Sequence, residues 1–213
     1  MPRPFQNRVD PWGNLQAYPG RAATRMGNRG ILHNEKQEIV RASRTKAWLC
    51  CRLNLDNVKR EIFQFRPKFS YSELFFLDEA TALSAGHRPC KDCQPLRFQK
   101  FKEYWCTANT ESKSSSKVLI SEVDRQLESE RSDTSHRKIT FKAKLSELPG
   151  GTMFTEKKKA CLVTLGGLYD WSFDGYKQVE YGKDREVEVL TPRSIVAAMK
   201  EGYMPAIHLS ADA

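Results

Sequence analysis

The alternation of apolar and polar positions predicts strands in the first half of the chain, with short helices between them. In residues 31–55, apolar runs flank the polar segment HNEKQ, which predicts a hairpin followed by a third strand. Along that strand Cys51 falls on the apolar face and Cys50 on the opposite face. The segment ELFFL predicts another strand, followed by a short helix that Asp78 caps and Gly86 ends.

Two helices are expected near the middle of the chain. Phe98, Phe101 and Trp105 recur at helical spacing in PLRFQKFKEYWC, which predicts an amphipathic helix that covers the first domain. The next residues, 107–117, are rich in Ser, Thr and Lys, a composition typical of a linker. The segment VLISEVDRQLESE then predicts a second helix.

The second half carries the pattern of a small antiparallel sheet or barrel. Closely spaced turn signals separate five apolar segments: KITFKAKL, GTMFTE, KACLVTL, GLYDWSF and REVEVL. A final helix is expected in TPRSIVAAMKEGY, with Thr191 as its N-cap, Pro192 at its first position and Gly202 just past its end. We therefore predict an α+β protein in which a small first domain precedes a β-rich domain with a C-terminal helix.

The composition divides the chain into four segments. Residues 1–26 are rich in Pro, Gly, Asn and Arg without a repeating period, which predicts a basic extended arm rather than a packed element. The first domain is expected in residues 27–106 and the linker in residues 107–117. The β-rich domain then occupies residues 118–213.

Positive charge is concentrated at the start of the chain. The formal net charge is +9; the first 50 residues contain nine Lys or Arg against three acids, whereas residues 111–213 contain sixteen of each. Such an Arg-rich excess is typical of a protein that binds a polyanion, although a solubilising surface gives a similar composition. Six candidate contacts with nucleic acid lie near the hairpin and the CxxC segment: Arg21, Arg25, Asn28, Arg29, Arg88 and Lys91.

The compartment determines how the cysteines are interpreted. The N-terminal segment has no apolar stretch of signal-peptide length, and no apolar run is long enough to span a bilayer. We therefore expect a cytoplasmic protein without a membrane partner. In a reducing compartment, the six cysteines are not expected to form structural disulfides, and a close pair such as Cys90 and Cys93 is expected to bind metal or to react. Cys50, Cys106 and Cys161 are expected to be small core residues.

The CxxC pair in AGHRPCKDCQP is the strongest chemical signal. Zinc takes four ligands, and two cysteines on a tight turn supply two of them. Cys51 has the inward direction and His33 lies on a neighbouring strand, so the predicted ligand set is His33, Cys51, Cys90 and Cys93. A redox dithiol is the alternative interpretation of the pair.

The segment ELFFLDEATALSAGHRPCKDCQP resembles the metal-binding domain of the Ada DNA-repair proteins, and the resemblance covers residues 27–95. GNRGILH is similar to the opening of zinc modules appended to bacterial nucleases, in which a His is a ligand; this implies the same role for His33. The whole chain also resembles a group of bacterial proteins that carry MGNRG and AGHRPC. One departure concerns the first pair of ligands, because Cys50 and Cys51 are adjacent here, whereas the Ada proteins separate these cysteines by three residues.

The resemblance and the charge together predict a zinc-containing protein that binds nucleic acid, DNA rather than RNA, with a role in DNA repair or processing. An enzyme acting on nucleic acid is the alternative, either a phosphotriester methyl acceptor with Cys51 as acceptor or a hydrolase. A zinc-folded protein-interaction module is the third hypothesis. The sequence contains no Walker, dinucleotide, HExxH or GxSxG motif, so no catalytic residue is assigned.

Overall fold

The computed structural model describes residues 4–53, 71–111, 115–135, 137–182 and 184–211. Two six-stranded sheets and four α-helices make up this part of the chain, which confirms the α+β prediction. Within it, no helix combines the length and the hydropathy that crossing a membrane requires.

The first sheet is mixed, with strand order β2-β1-β5-β3-β4-β6. Its strands are β1 Gln6–Val9, β2 Leu15–Ala17, β3 Arg25–Asn28, β4 Leu49–Arg52, β5 Leu74–Phe76 and β6 Arg88–Pro89. The β1–β5 and β4–β6 pairs are parallel, and the other pairs are antiparallel. Between β3 and β4 the chain makes the expected hairpin, in which His33 bridges Ile39 across a turn.

The second sheet is antiparallel throughout, with strand order β11-β10-β9-β8-β12-β7. Its strands are β7 Phe141–Lys144, β8 Met153–Glu156, β9 Lys159–Val163, β10 Leu168–Ser172, β11 Gly175–Val179 and β12 Glu186–Val189. All five predicted strand segments are found in it. In the described residues its ends, β11 and β7, are not paired, so the sheet is open rather than a barrel.

The four helices are α1 Glu79–Ser84, α2 Pro95–Asn109, α3 Ile120–Arg131 and α4 Arg193–Lys200. The side chain of Asp78 accepts a hydrogen bond from the Thr81 amide at 2.8 Å, which confirms the predicted cap of α1. The prediction that Thr191 is the N-cap of α4 is wrong, because Pro192 is the N-cap. The Thr191 hydroxyl instead accepts a hydrogen bond from the backbone N–H of Met153 in β8.

The prediction of an unpacked N-terminal arm is also wrong, because residues 6–17 form the two-stranded edge of the first sheet. Val9 is fully buried in a cluster with Leu32, Leu74 and Phe76, and Arg8 pairs with Phe75 across the parallel β1–β5 contact. The strand was missed because only one apolar residue of β1 marks its buried face. Tertiary contact therefore orders a segment whose local sequence favours an irregular structure.

A shared core joins the halves of the chain. Helix α2 continues beyond residue 106, and its Phe101 and Trp105 lie in one apolar cluster with Ile195 and Met199 of α4. At the start of α1, the buried carboxyl of Asp78 accepts a hydrogen bond from Tyr176 of β11 at 2.8 Å. These contacts fix the first sheet, which carries the cysteines, against the second.

Candidate metal centre

Three cysteines converge at the edge of the first sheet. Cys51 lies on β4, Cys90 directly follows β6, and Cys93 lies two residues before α2. Their sulfur atoms all lie within 4.8 Å of one another, so they could hold a metal ion. All six cysteines of the chain are free and buried, so the structure holds no disulfide.

The backbone clamps the CxxC turn against β4. The Cys90 amide donates to the Cys50 carbonyl at 2.8 Å, and the Gln94 side chain donates to the same carbonyl at 2.9 Å. The Arg52 amide points at the Cys93 sulfur, at 3.4 Å. A backbone N–H beside a sulfur stabilises its thiolate form, as metal binding requires.

The three thiols share their protons unequally. Hydrogen bonds from Cys51 and Cys93 lower the pKa of Cys90. The complementary hydrogen bond to Cys90, together with that to Cys93, raises the pKa of Cys51. Side chains that are each less than a tenth exposed and that compete for protons in this way are suited to a cation that replaces those protons.

The alternation along β4 separates the two adjacent cysteines as predicted. Cys51 packs with Met26, Phe75 and the CxxC pair, whereas Cys50 is fully buried in a different cluster on the other face. Burial raises the pKa of Cys50 well above its ordinary value. Cys50 is therefore a core residue.

The predicted fourth ligand, His33, does not join the group. The cluster contains the three cysteines only, and the His33 Nδ1 lies 2.5 Å from the Ser72 hydroxyl. His33 forms only an isolated bridge with Ile39 and belongs to no strand of the first sheet. The expectation that it lies on a strand next to that of Cys51 is therefore wrong, because β4 pairs with β3 and β6 instead.

A basic cleft adjoins the cysteines. Its volume is about 810 Å³, and Cys93 lines it together with Arg25, Arg52 and Arg97. Arg25 and Arg52 are direct partners in the β3–β4 register, and Arg97 pairs with the buried Glu79. Arg52 was not among the residues predicted from the sequence to contact nucleic acid. Its position next to Cys51, on the strand that pairs with β3, could have indicated that it lies beside the cysteines.

The six predicted nucleic-acid contacts separate into accessible and buried groups. Arg21 and Lys91 are exposed and Arg25 is half-buried, so a phosphate can reach them. Asn28 uses its side-chain oxygen to accept a hydrogen bond from the Gly30 amide at 2.7 Å. The predictions for Arg29 and Arg88 need correction, because these side chains are only 1% and 5% exposed.

Specific contacts explain why the two buried arginines are unavailable to a polymer. Arg88 forms a bidentate ion pair with the buried Asp124 of α3, with distances of 2.7 and 2.8 Å. Arg29 stacks on Trp48, with 3.7 Å between its guanidinium carbon and the ring centre, and its Nε donates to the Nε2 of His87. Arginine content alone therefore overstates the charge that this surface offers to nucleic acid.

Comparisons with known proteins add no relative: no protein-family model, no curated protein and no solved structure matches the chain.

Proposed function

We propose that the protein binds Zn²⁺ through Cys51, Cys90 and Cys93, and nucleic acid through the adjoining basic cleft. The observation that carries the proposal is the convergence of three buried sulfur atoms beside three arginines. The Ada resemblance of the CxxC segment supports the same combination.

The choice of zinc follows from the ligands. Thiolates favour soft or borderline metals, and a sulfur-rich tetrahedral site is typical of zinc or of iron–sulfur clusters. Zinc takes four ligands, and the described residues supply three. The fourth comes either from solvent, as in zinc sites that keep an open position, or from a group outside the described residues.

The cleft supports phosphate binding through charge and geometry. Arg25 and Arg52 line the cleft, and Arg52 is exposed. Lys91, which directly follows Cys90 in the chain, is also exposed. Arginine binds phosphate through two parallel hydrogen bonds, and such contacts release counterions from the polymer. Arg97 contributes less to phosphate binding than Arg25 and Arg52, since its charge is already paired with that of Glu79.

The test is fluorescence anisotropy of labelled single- and double-stranded DNA and of RNA, titrated with zinc-loaded protein at several salt concentrations. We expect affinity to fall steeply with salt, with a log–log slope of about −2 to −3 for two or three phosphate contacts. DNA is expected to bind more tightly than RNA. Absence of binding at low salt, or binding that salt does not weaken, would exclude the nucleic-acid part of the proposal.

Methyl transfer is a second candidate function, favoured by the position of Cys93 on the cleft wall. A zinc-bound thiolate would attack the methyl group of a phosphotriester, forming an S–C bond while the O–C bond breaks and a phosphodiester anion leaves. The acceptor is then Cys93 or, by the Ada resemblance, Cys51. Mass spectrometry of cysteine peptides after incubation with methylphosphotriester DNA distinguishes methyl transfer from binding alone. Methyl transfer would leave a methylated cysteine, whereas a protein that only binds DNA would stay unmethylated.

A further inference from the structure

A second basic pocket lies at the opposite end of the β3–β4 pair from the cysteine cleft. Arg25 and Arg52 form one end of that pair, and the other end leads into Arg29 and Trp48. The pocket has a volume of about 700 Å³. We call it the arginine pocket; the basic residues that line it are Arg29, Arg41, Arg131 and Lys138.

Two guanidinium groups of the pocket are rigidly held yet incompletely bonded. Arg29 donates to His87 at 2.9 Å and to the Gly13 carbonyl at 3.0 Å, and Arg131 donates to the Gly86 and Lys46 carbonyls at 2.8 and 2.7 Å. Both are more than nine-tenths buried. In each, the Nη2 atom is buried without a hydrogen-bond partner among the described residues.

Trp48 and His87 determine the positions of these groups. Arg29 and Arg131 both lie over the Trp48 ring, with their guanidinium carbons 3.7 and 4.4 Å from its centre. The Nδ1 of His87 lies 3.0 Å from the Leu49 carbonyl, which can only accept, so Nδ1 carries the proton and Nε2 accepts from Arg29. Burial beside Arg29 lowers the pKa of His87 well below its ordinary value, which keeps it neutral.

The positive charge of the pocket is not balanced by its walls. Among the described residues, no acidic side chain lines it, and neither guanidinium forms an ion pair with a described acid. Asp10 acts electrostatically on Arg29, and Asp124 and Glu128 act on Arg131, but none of them forms an ion pair with either group. The Asp10 carboxyl instead accepts hydrogen bonds from the Trp12 amide and from Asn14. Burying unpaired cations costs free energy, and a bound anion would recover that cost.

We propose that the arginine pocket binds a phosphate-type dianion, free or as the ester group of a small organic molecule. An anion that enters from solvent first meets Arg41, which is exposed, and Lys138, which is partly exposed. The two guanidinium groups behind them supply fixed positive charge to the pocket wall. This proposal is independent of the zinc centre.

The remaining walls have room for an organic group on the phosphate. Trp12, Leu15 and Ile39 line the same pocket, and its volume lies within the range of small-molecule sites, roughly 300–1,000 Å³. A free phosphate would leave these apolar walls in contact with water. An ester with an apolar or aromatic part would cover them.

The experiment is isothermal titration of zinc-loaded protein with inorganic phosphate, phenyl phosphate and phenol, at constant ionic strength in chloride. Both phosphates are expected to bind, and phenol is not. An affinity for phenyl phosphate at least about tenfold above that for phosphate would identify an ester as the ligand, since a buried ring contributes about that much. Equal affinities would identify free phosphate.

Three variants keep the proposal falsifiable. Lys138→Met and Arg41→Gln are each expected to weaken phosphate binding by about tenfold or more, the range of a charge-assisted hydrogen bond. Arg41 is exposed, so its replacement leaves the core intact even if Lys138→Met folds poorly. Lys177→Met, on the exposed side of β11, is the matched control. The proposal is overturned if no phosphate binds, or if Lys138→Met and Arg41→Gln both bind phosphate as tightly as wild type and the Lys177→Met control do.

Discussion

The two ends of the β3–β4 strand pair differ in whether their arginines are accessible or buried. At one end, Arg25 and Arg52 are accessible beside three buried thiols that could hold a cation. At the other end, Arg29 is buried against Trp48 and lines a pocket in which no acidic side chain of the described residues takes part.

The difference shows that a count of basic residues does not locate a binding surface. The arginines of the first half of the chain lie in three different environments. Arg25 and Arg52 line a cleft that a polymer can reach, Arg88 and Arg97 form ion pairs with acids, and Arg29 lines the arginine pocket. Each end also contains groups that are incomplete alone, sulfur atoms at one and guanidinium nitrogens at the other. We propose that a metal ion binds at the first end and an anion at the second.

Among the substitutions considered, removing one thiol should have the largest effect. It should lower zinc affinity at the cysteine end of the strand pair and leave the arginine pocket unchanged. We expect Cys90→Ser to lower zinc affinity by more than about 100-fold, because changes in groups that only support the ligands already cost 10- to 100-fold. Competition with a chromophoric chelator measures this. Cys161→Ser, at a buried cysteine of the second sheet, should keep wild-type affinity. Equal losses in both variants would indicate general unfolding.

Gly27→Ala should perturb both ends, since Gly27 lies in the strand between them. A Cβ at this position would lie 2.3 Å from a ring atom of Phe76 and 3.1 Å from the Leu49 carbonyl oxygen, so the sheet must shift. We expect the free energy of unfolding in urea to fall by about 1–3 kcal/mol. Gly182→Ala is the control, because no described atom lies within 4 Å of its added Cβ. An unchanged Gly27→Ala protein would contradict the tight packing of this strand.

The arginine pocket should make stability depend on pH. Burial, followed by the charges of Arg131 and Arg29, lowers the pKa of Lys138 from 10.5 to about 7, and Asp10 and Glu130 oppose this shift only in part. Between these values the unfolded chain keeps a proton that the folded chain has released. The free energy of unfolding of wild type should therefore rise with pH, by at most about 1.4 kcal/mol per unit.

Below pH 7 the full cost of the buried charge is present, and above 10.5 it is absent. Lys138→Met removes the group, so its stability should rise less between pH 7 and 9 than that of wild type. Urea unfolding in phosphate-free buffer at several pH values measures the difference, with Lys177→Met as control. Parallel pH profiles for all three proteins would show that Lys138 is not in the environment described.

The smallest effect is expected for one cleft arginine. Arg52→Gln should weaken nucleic-acid binding modestly and reduce the magnitude of the salt slope by about 1, because one phosphate contact is lost. Phosphate binding in the arginine pocket should not change. Lys177→Gln serves as the control for net charge, and a slope that falls equally in this variant would mean that no defined contact exists at Arg52.

The sequence was sufficient to predict features whose signals are local. The caps of α1, five of the six strands of the second sheet and the different directions of Cys50 and Cys51 all follow from short-range sequence signals, and the structure confirms them. The sixth strand, β11, was not predicted. The CxxC spacing likewise indicated a metal site, and two of its three sulfur positions are fixed within one turn.

The features that failed depend on contacts distant in sequence. Strand β1 is ordered by its parallel pairing with β5, and the His33 ring lies beside the Ser72 hydroxyl, 39 residues further along the chain. Arg29 is joined to Arg131 through Trp48, across about one hundred residues of chain. No local pattern distinguishes such an arginine from one on the surface.

The most direct test of the central claim is the metal content of chelator-free protein, measured by elemental mass spectrometry on wild type and on His33→Ala and Cys51→Ser variants. Our proposal predicts one zinc per chain in wild type and in His33→Ala, and loss of zinc in Cys51→Ser. Wild-type protein without zinc, or loss of zinc on replacing His33, would contradict a centre built on the three cysteines alone.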